Sequence, residues 1–261
     1  MDLGLKGKVV LVTGGSKGIG LACARAFLAE GGRVAIVSRS RENLVAAKQV
    51  LFAPANDLIA VSCDLTAKEA ATPMVKEIER RLGPLDVLVN SAGAAKRYLP
   101  EELNEESWHA AMDAKYFTYI HAMEAVLPGM AKRGQGVVIN IIGMGGKVAT
   151  PIHLPGGAAN SALMLATTGL ANVYGPKGIR INAINPGSTM TDRVREALKL
   201  EAKKRGQSED EVLAQLQAKV PLKRYAAPED IANLTLFLAS NKASYITGAI
   251  VPMDGGLNPI L

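Results

Sequence analysis

Near its start the chain runs from an apolar, β-branched segment, Lys8–Thr13 (KVVLVT), into the turn Gly14-Gly15-Ser16-Lys17-Gly18-Ile19-Gly20, and out into a helical stretch opening near Leu21. Few folds accept that order. Gly14 permits a tight turn, Gly18 lets backbone approach a diphosphate, and Gly20 lets helix and strand pack closely. The helix then meets an anion with its unpaired N–H groups and the positive end of its dipole. A strand before and a helix after set such a cradle apart from an ordinary glycine turn. Gly14, Ser16, Lys17, Gly18, Ile19 and Gly20 are therefore read as cofactor-binding positions.

The same alternation continues down the chain. Arg33–Ser38, Leu58–Ser62, Leu85–Asn90, Gly136–Ile142, Ile179–Asn185 and Ala249–Val251 read as further strands. Their near-continuous apolar character suits strands covered on both faces. Helices between them complete a βαβ pattern, which predicts an α/β fold with a single doubly wound parallel sheet, Rossmann-like, helices on both faces. At 261 residues and 48% hydrophobic, the chain makes one large domain over 1–261 with no linker.

Composition excludes several alternatives. No apolar run reaches the roughly 18 residues of a membrane span, and MDLGLKGKVV has no signal-peptide core. The expectation is a cytoplasmic protein with no membrane partner, its Cys23 and Cys63 reduced, buried and without metal-ligand spacing. The net charge of +6 could suit a polyanion, but the most basic window, Arg193 to Arg205, also carries Glu196 and Glu201, as a solvated helix does, and no aromatics are interleaved with it, so no nucleic-acid partner is expected.

At the end of the second strand an NAD-preferring site would offer a carboxylate to the ribose 2′-hydroxyl. Here the residues are Ser38-Arg39-Ser40. Arg39 and Lys17 would pair with a 2′-phosphate through charge-assisted hydrogen bonds, which predicts NADP(H) over NAD(H).

Two helices carry further expectations. Over roughly Glu105 to Lys132, Trp108, Met112, Tyr119, Met123, Val126 and Met130 fall on one stripe with Lys115 among them. A lysine there is costly unless it pairs with an anion or is used. The stretch from about Gly157 to Tyr174 is apolar almost all round, as in a helix covered by its own sheet and by a second subunit. A homotetramer or homodimer is expected.

The motifs together resemble the short-chain dehydrogenase/reductase family. Thr13–Gly20 (TGGSKGIG) is similar to its glycine signature. Asp64-Leu65 resembles the pair flanking the adenine, and Asn90-Ser91-Ala92-Gly93 its NNAG segment with one change. Asn185-Pro186-Gly187 with Thr191 resembles the segment at the nicotinamide end, and Thr247-Gly248 with Asp254-Gly255-Gly256 the close of the chain. The likeness runs over about residues 5 to 257. It implies cofactor contacts at Ser38, Arg39, Asp64, Leu65, Asn90, Ala92, Gly93, Pro186, Gly187 and Thr191, no metal, and hydride transfer on a small carbonyl or alcohol.

That family ordinarily works with Asn, Ser, Tyr and Lys. Carried over, the four positions fall on Lys115, Gly143, Gly156 and Asn160. Not one of the six tyrosines is followed by lysine four residues later. The exchange of Asn and Lys between two positions suggests a reciprocal swap, with Lys115 supplying the charge beneath the nicotinamide ribose. The swap leaves the acid to be found: His153 has the fitting intrinsic pKa, with Tyr98 and Thr150 as alternatives and Lys147 nearby. The segment Thr189–Val220, with helices near Asp192–Arg205 and Ser208–Lys219, stands where a substrate lid belongs. Pro151, Ile152, Leu154 and Met144 suggest an apolar substrate. Three functions stay open: an NADP(H)-dependent oxidoreductase, a catalytically silent dinucleotide-binding subunit, and a non-redox enzyme reusing the pocket.

Overall fold

A computed structural model describes residues 2–93 and 96–259. Among them, β1 (Val9–Thr13), β2 (Arg33–Ser38), β3 (Leu58–Ser62), β4 (Val87–Asn90), β5 (Gly136–Ile141), β6 (Ile179–Pro186) and β7 (Ile250–Met253) form one sheet in the order β3-β2-β1-β4-β5-β6-β7. Every pairing is parallel. The strand order reverses between β1 and β4, so a crevice opens beyond their carboxyl ends.

Alternate strand residues feed two cores. Leu11, Val37 and Leu88 pack with α3 (Lys68–Leu82), α5 (Thr118–Arg133) and α6 (Leu154–Tyr174) on one face. Val10, Val12 and Ile36 pack with α1 (Gly18–Ala29), α2 (Arg41–Leu51) and α9 (Pro228–Ala239) on the other. Strands covered twice need no polar side, and the expected doubly wound sheet is what forms.

The Glu105–Lys132 stretch departs from a single helix. α4 (Glu105–Ala111) gives way to a π-helical turn, Met112–Phe117, before α5 begins. The wide turn changes the phase of the buried stripe, which runs through Ser107, Ala111, Lys115, Tyr119, Met123, Val126 and Met130. Trp108, expected on that stripe, is 40% exposed instead. Lys115 stays inside at 8% exposed. Such turns recur at functional sites because they re-aim side chains.

The segment expected to be a lid holds α7 (Asp192–Arg205) and α8 (Glu209–Ala218). They bury Leu198, Ala202 and Val212 against each other in a small cluster separate from both main cores. A unit with its own core can move as a body.

Candidate cofactor and active site

The crevice at the strand ends is one continuous cleft. Its first part is lined by Gly14, Lys17, Ser38, Arg39, Asp64 and Leu65. Its second is lined by Gly18, Ile19, Lys115, Gly143, Gly187 and Thr191. Lys17, Ser91, Gly93 and Arg193 border both.

The cradle fits an anion on its geometry. Lys17 caps α1 without placing a side chain on the first-turn N–H groups, which leaves those donors without a capping side chain beside the cleft that Lys17 and Gly18 line. Gly14 has φ +67°, and a Cβ there would lie 2.7 Å from the Ser91 carbonyl. Gly20 would drive a Cβ into the Gly14 carbonyl. Thr191, the N-cap of α7, leans over the turn, its methyl 3.2 Å from where a Gly18 Cβ would be. Ser16 lies buried beneath the turn.

At the end of the cleft lined by Arg39 and Asp64, partial burial would raise the Asp64 carboxyl. Hydrogen bonds from the Thr66 N–H (3.0 Å) and hydroxyl (2.8 Å), with Arg39 nearby, outweigh that and hold it below its ordinary value. Cys63, expected to be buried, is half-exposed at this rim. Arg39, Lys17 and Arg193 bring three guanidinium or ammonium groups to the wall, a charge pattern suited to phosphates. Arg193 escaped the sequence reading, which took its helix as solvated. Its position two residues after Thr191 was the available signal.

Asn90 is placed differently from its neighbours. Thr13 pairs with Asn90, and Asn90 with Asn140, in the sheet register. Their side chains form a buried chain: Thr13 Oγ1 donates to Asn90 Oδ1 (3.3 Å), Asn90 Nδ2 to Asn140 Oδ1 (3.0 Å), and Asn140 Nδ2 to Thr167 Oγ1 (3.0 Å). Thr13 Oγ1 in turn accepts from the Ser91 and Ala92 N–H groups, both at 3.2 Å. Asn90 thus shapes the loop through Ser91 and Ala92 rather than reaching the cleft. Gly93, φ +95°, lets that loop pass against the Ala114 carbonyl of the π turn.

At the far end, Pro186 and Gly187 continue β6 along the wall, and a Cβ on Gly187 would lie 2.8 Å from that of Asp254. Gly143 has φ +127°, a conformation that L side chains rarely adopt. A Cβ there would also sit 3.4 Å from Asn160 Nδ2. Asn160 is 5% exposed, and its Oδ1 lacks a partner among the described residues. Gly156, one turn earlier on α6, is buried.

Lys115 reaches the same segment from the opposite helix. Its Nζ donates to Tyr119 Oη at 2.7 Å and to the Ile141 carbonyl at 3.0 Å. Burial, with the nearby charge of Arg193, pushes its pKa down to about 7. Lys115 and Asn160 therefore both bear on Ile141–Gly143, from the π turn and from α6.

His153 ends the turn Pro151–His153 before α6 and packs against Gly145. Burial first, then Arg97 and Lys115, holds its pKa below the usual histidine value. Its Nδ1 is buried without a partner among the described residues. Tyr98 lies beside this turn, its N–H donating to the Ile152 carbonyl (3.2 Å), with its side chain apart from the cleft wall. Thr150 and Lys147 also stand off that wall. No group of three or more potential metal ligands occurs among the described residues, and no helix there is long and apolar enough to cross a membrane.

Comparisons with known proteins agree with this fold. Residues 14–258 match the family model described as enoyl-(acyl carrier protein) reductase. A 3-oxoacyl-[acyl-carrier-protein] reductase of Staphylococcus aureus is 31% identical, the match covering 96% of this chain and 98% of that one. The L-sorbose reductase of Gluconobacter frateurii, solved with NADPH and L-sorbose, superposes with a TM-score of 0.93 at 30% identity over the whole of both chains. A short-chain oxidoreductase of Pseudomonas aeruginosa, solved with NADPH and described as having an atypical catalytic centre, gives 0.89 at 31% identity, over 97% and 98% of the two chains.

Proposed function

Because the chain belongs to the short-chain dehydrogenase/reductase family, we propose that it is an NADP(H)-dependent oxidoreductase whose catalytic site departs from the family's usual one. A bound nicotinamide dinucleotide would supply or take the hydride. Gly14, Lys17, Gly18 and the start of α1 would hold its diphosphate, and Arg39 with Lys17 its 2′-phosphate, which is the basis for preferring NADP(H) to NAD(H). Pro186, Gly187 and Thr191 would border the nicotinamide.

The observation that carries the departure is Lys115, a buried side chain on the cleft wall bonded to Tyr119 and Ile141, opposite the Asn160 that the family resemblance aligns with the usual lysine. It would supply the positive charge beneath the ribose. Gly143 supports the same reading, since its φ of +127° suits no serine. The substrate is a small carbonyl or alcohol with apolar character. Leu99 and Ile152, 50% and 42% exposed, sit on the two loops joined by the Tyr98–Ile152 bond. Leu165 and Val173 on α6, 76% and 58% exposed, fit burial between copies in a homodimer or homotetramer.

Titrating the protein with NADPH and NADH by nicotinamide fluorescence, then following NADPH oxidation against 3-oxoacyl thioesters and ketoses, tests the proposal. Tighter NADPH binding and turnover are the expected results. Binding without turnover would favour a silent dinucleotide-binding subunit, and equal or tighter NADH binding would refute the cofactor preference.

A further inference from the structure

A carbonyl that accepts a hydride needs a proton at its oxygen, and neither Gly143 nor Gly156 has a side chain to give one. Of the candidate acids, Lys115 is the one that lines the cleft wall with Gly143 and Gly187. An ammonium has three N–H donors. Two go to Tyr119 Oη and the Ile141 carbonyl, and the third has no acceptor among the described residues. Tyr119 Oη itself donates to the Ile141 carbonyl, so the pair fixes the Nζ from two directions.

We propose that Lys115 is the proton donor of the reaction, with Tyr119 as its positioning residue. The inference rests on the NADP(H)-dependent carbonyl reduction read above. As the carbonyl carbon takes a hydride from the reduced nicotinamide, the C=O π pair moves to oxygen. The Lys115 N–H bond breaks, the O–H bond forms, and the lysine is left as a neutral amine. It regains a proton from cleft water once the alcohol leaves.

The surroundings suit that task. Arg193 on α7 and Lys17 in the cradle are the cations around Lys115, the His153 imidazole faces it from before α6, and Asp192 and Glu196 are the acids on the same wall. No carboxylate pairs with Lys115 within 4.0 Å among the described residues. The ammonium therefore gives up its proton near neutral pH, where a general acid works best. His153, held below its usual value, is uncharged there. Burial pushes the Tyr119 hydroxyl above its ordinary range, so it orients without ionising.

Arginine keeps the charge at this position and cannot release a proton, so Lys115→Arg separates the two roles. NADPH binding by the full chain is measured by calorimetry near about pH 8 in two buffers of different ionisation enthalpy. There the free lysine is largely neutral and an anionic cofactor would recharge it. Wild type should take up a proton on binding, and Lys115→Arg should bind within about threefold of wild type with no uptake. Turnover of a 3-oxoacyl thioester or L-sorbose should fall by about 10²-fold or more in Lys115→Arg. In wild type, turnover should decline as pH rises through the lysine's pKa in the complex. Tyr119→Phe should move that decline and lower kcat more than it changes KM.

Arginine turnover within about threefold of wild type, or an unchanged pH decline, would overturn the proposal. Wild-type binding without proton uptake would do so too, even if Lys115→Arg failed to fold. NADPH binding with no turnover of either probe would remove the proton donor while leaving the cofactor site standing. Failure of wild type to bind NADPH would instead overturn the reading beneath it.

Discussion

The turn Gly14–Gly20 and the segment Gly143–Gly157 both line or underlie the cleft, and both are rich in glycine, with different consequences. In the first, glycine lets the chain pack on itself so that α1 opens onto the cleft: Gly20 abuts the Gly14 carbonyl and Gly18 lies under Thr191. In the second, the protein fills much of the space with its own atoms. A Cβ on Gly157 would lie 2.7 Å from the Gly145 carbonyl, one on Gly146 2.6 Å from the Met164 methyl, and one on Gly145 3.2 Å from the His153 ring. On the proposal above, one region would keep the shape a dinucleotide needs. The other is closely packed around its glycines, and on the same proposal its charge would come from Lys115 across the cleft. Cofactor binding and chemistry can therefore diverge separately on one scaffold.

The contrast can be broken most forcefully at the cradle. Gly20→Val should lower stability by about 3 kcal/mol or more through overpacking and abolish NADPH binding, read by thermal denaturation and fluorescence titration. Retained binding would show that the turn is not built as described. Arg39→Asp should weaken NADPH by about 10- to 100-fold, the worth of a lost charge-assisted bond, and leave NADH little changed. Equal losses for both would remove Arg39 from the 2′-phosphate.

In the other region the signature is a pH dependence. Burial, with Arg193 nearby, pushes the Lys115 pKa in the folded chain down to about 7, from the ordinary lysine value of 10.5. Between those values the unfolded chain holds a proton that the folded chain has released, so stability of the cofactor-free protein should rise with pH across that window. The rise should be on the order of 2 kcal/mol between about pH 7 and 9. Lys115→Met should flatten it and be the more stable protein below about pH 7. Denaturant midpoints that move in parallel for the two proteins would refute this. Smallest, Gly143→Ser should cost about 1–2 kcal/mol for its positive φ and restore no activity. A gain in turnover would show that the segment still accepts the usual serine.

The fold was legible because its strands are short continuous apolar runs and most of its helices are longer and amphipathic, so period and length decide between them. The cradle was legible because its glycines sit between a strand and a helix. What escaped reading depends on tertiary packing. Nothing local in Met112–Phe117 marks a π turn: it holds no glycine or proline, so a uniform helix put Trp108 on the wrong face. Asn90 looked like a ligand residue until the sheet register set it between Thr13 and Asn140. Arg193 looked solvated because helical periodicity does not show that its first turn overhangs a cleft. Lys115 stood out as a charge on an apolar stripe, but only the structure supplies its partners Tyr119 and Ile141.

The most direct test of the central claim is the affinity of Lys115→Met for NADPH, measured by nicotinamide fluorescence beside wild type at neutral pH. Binding weakened by about tenfold or more, the loss of one buried charged contact, is the result this account predicts. Affinity equal to wild type, in a variant whose thermal denaturation shows it folded, would contradict it.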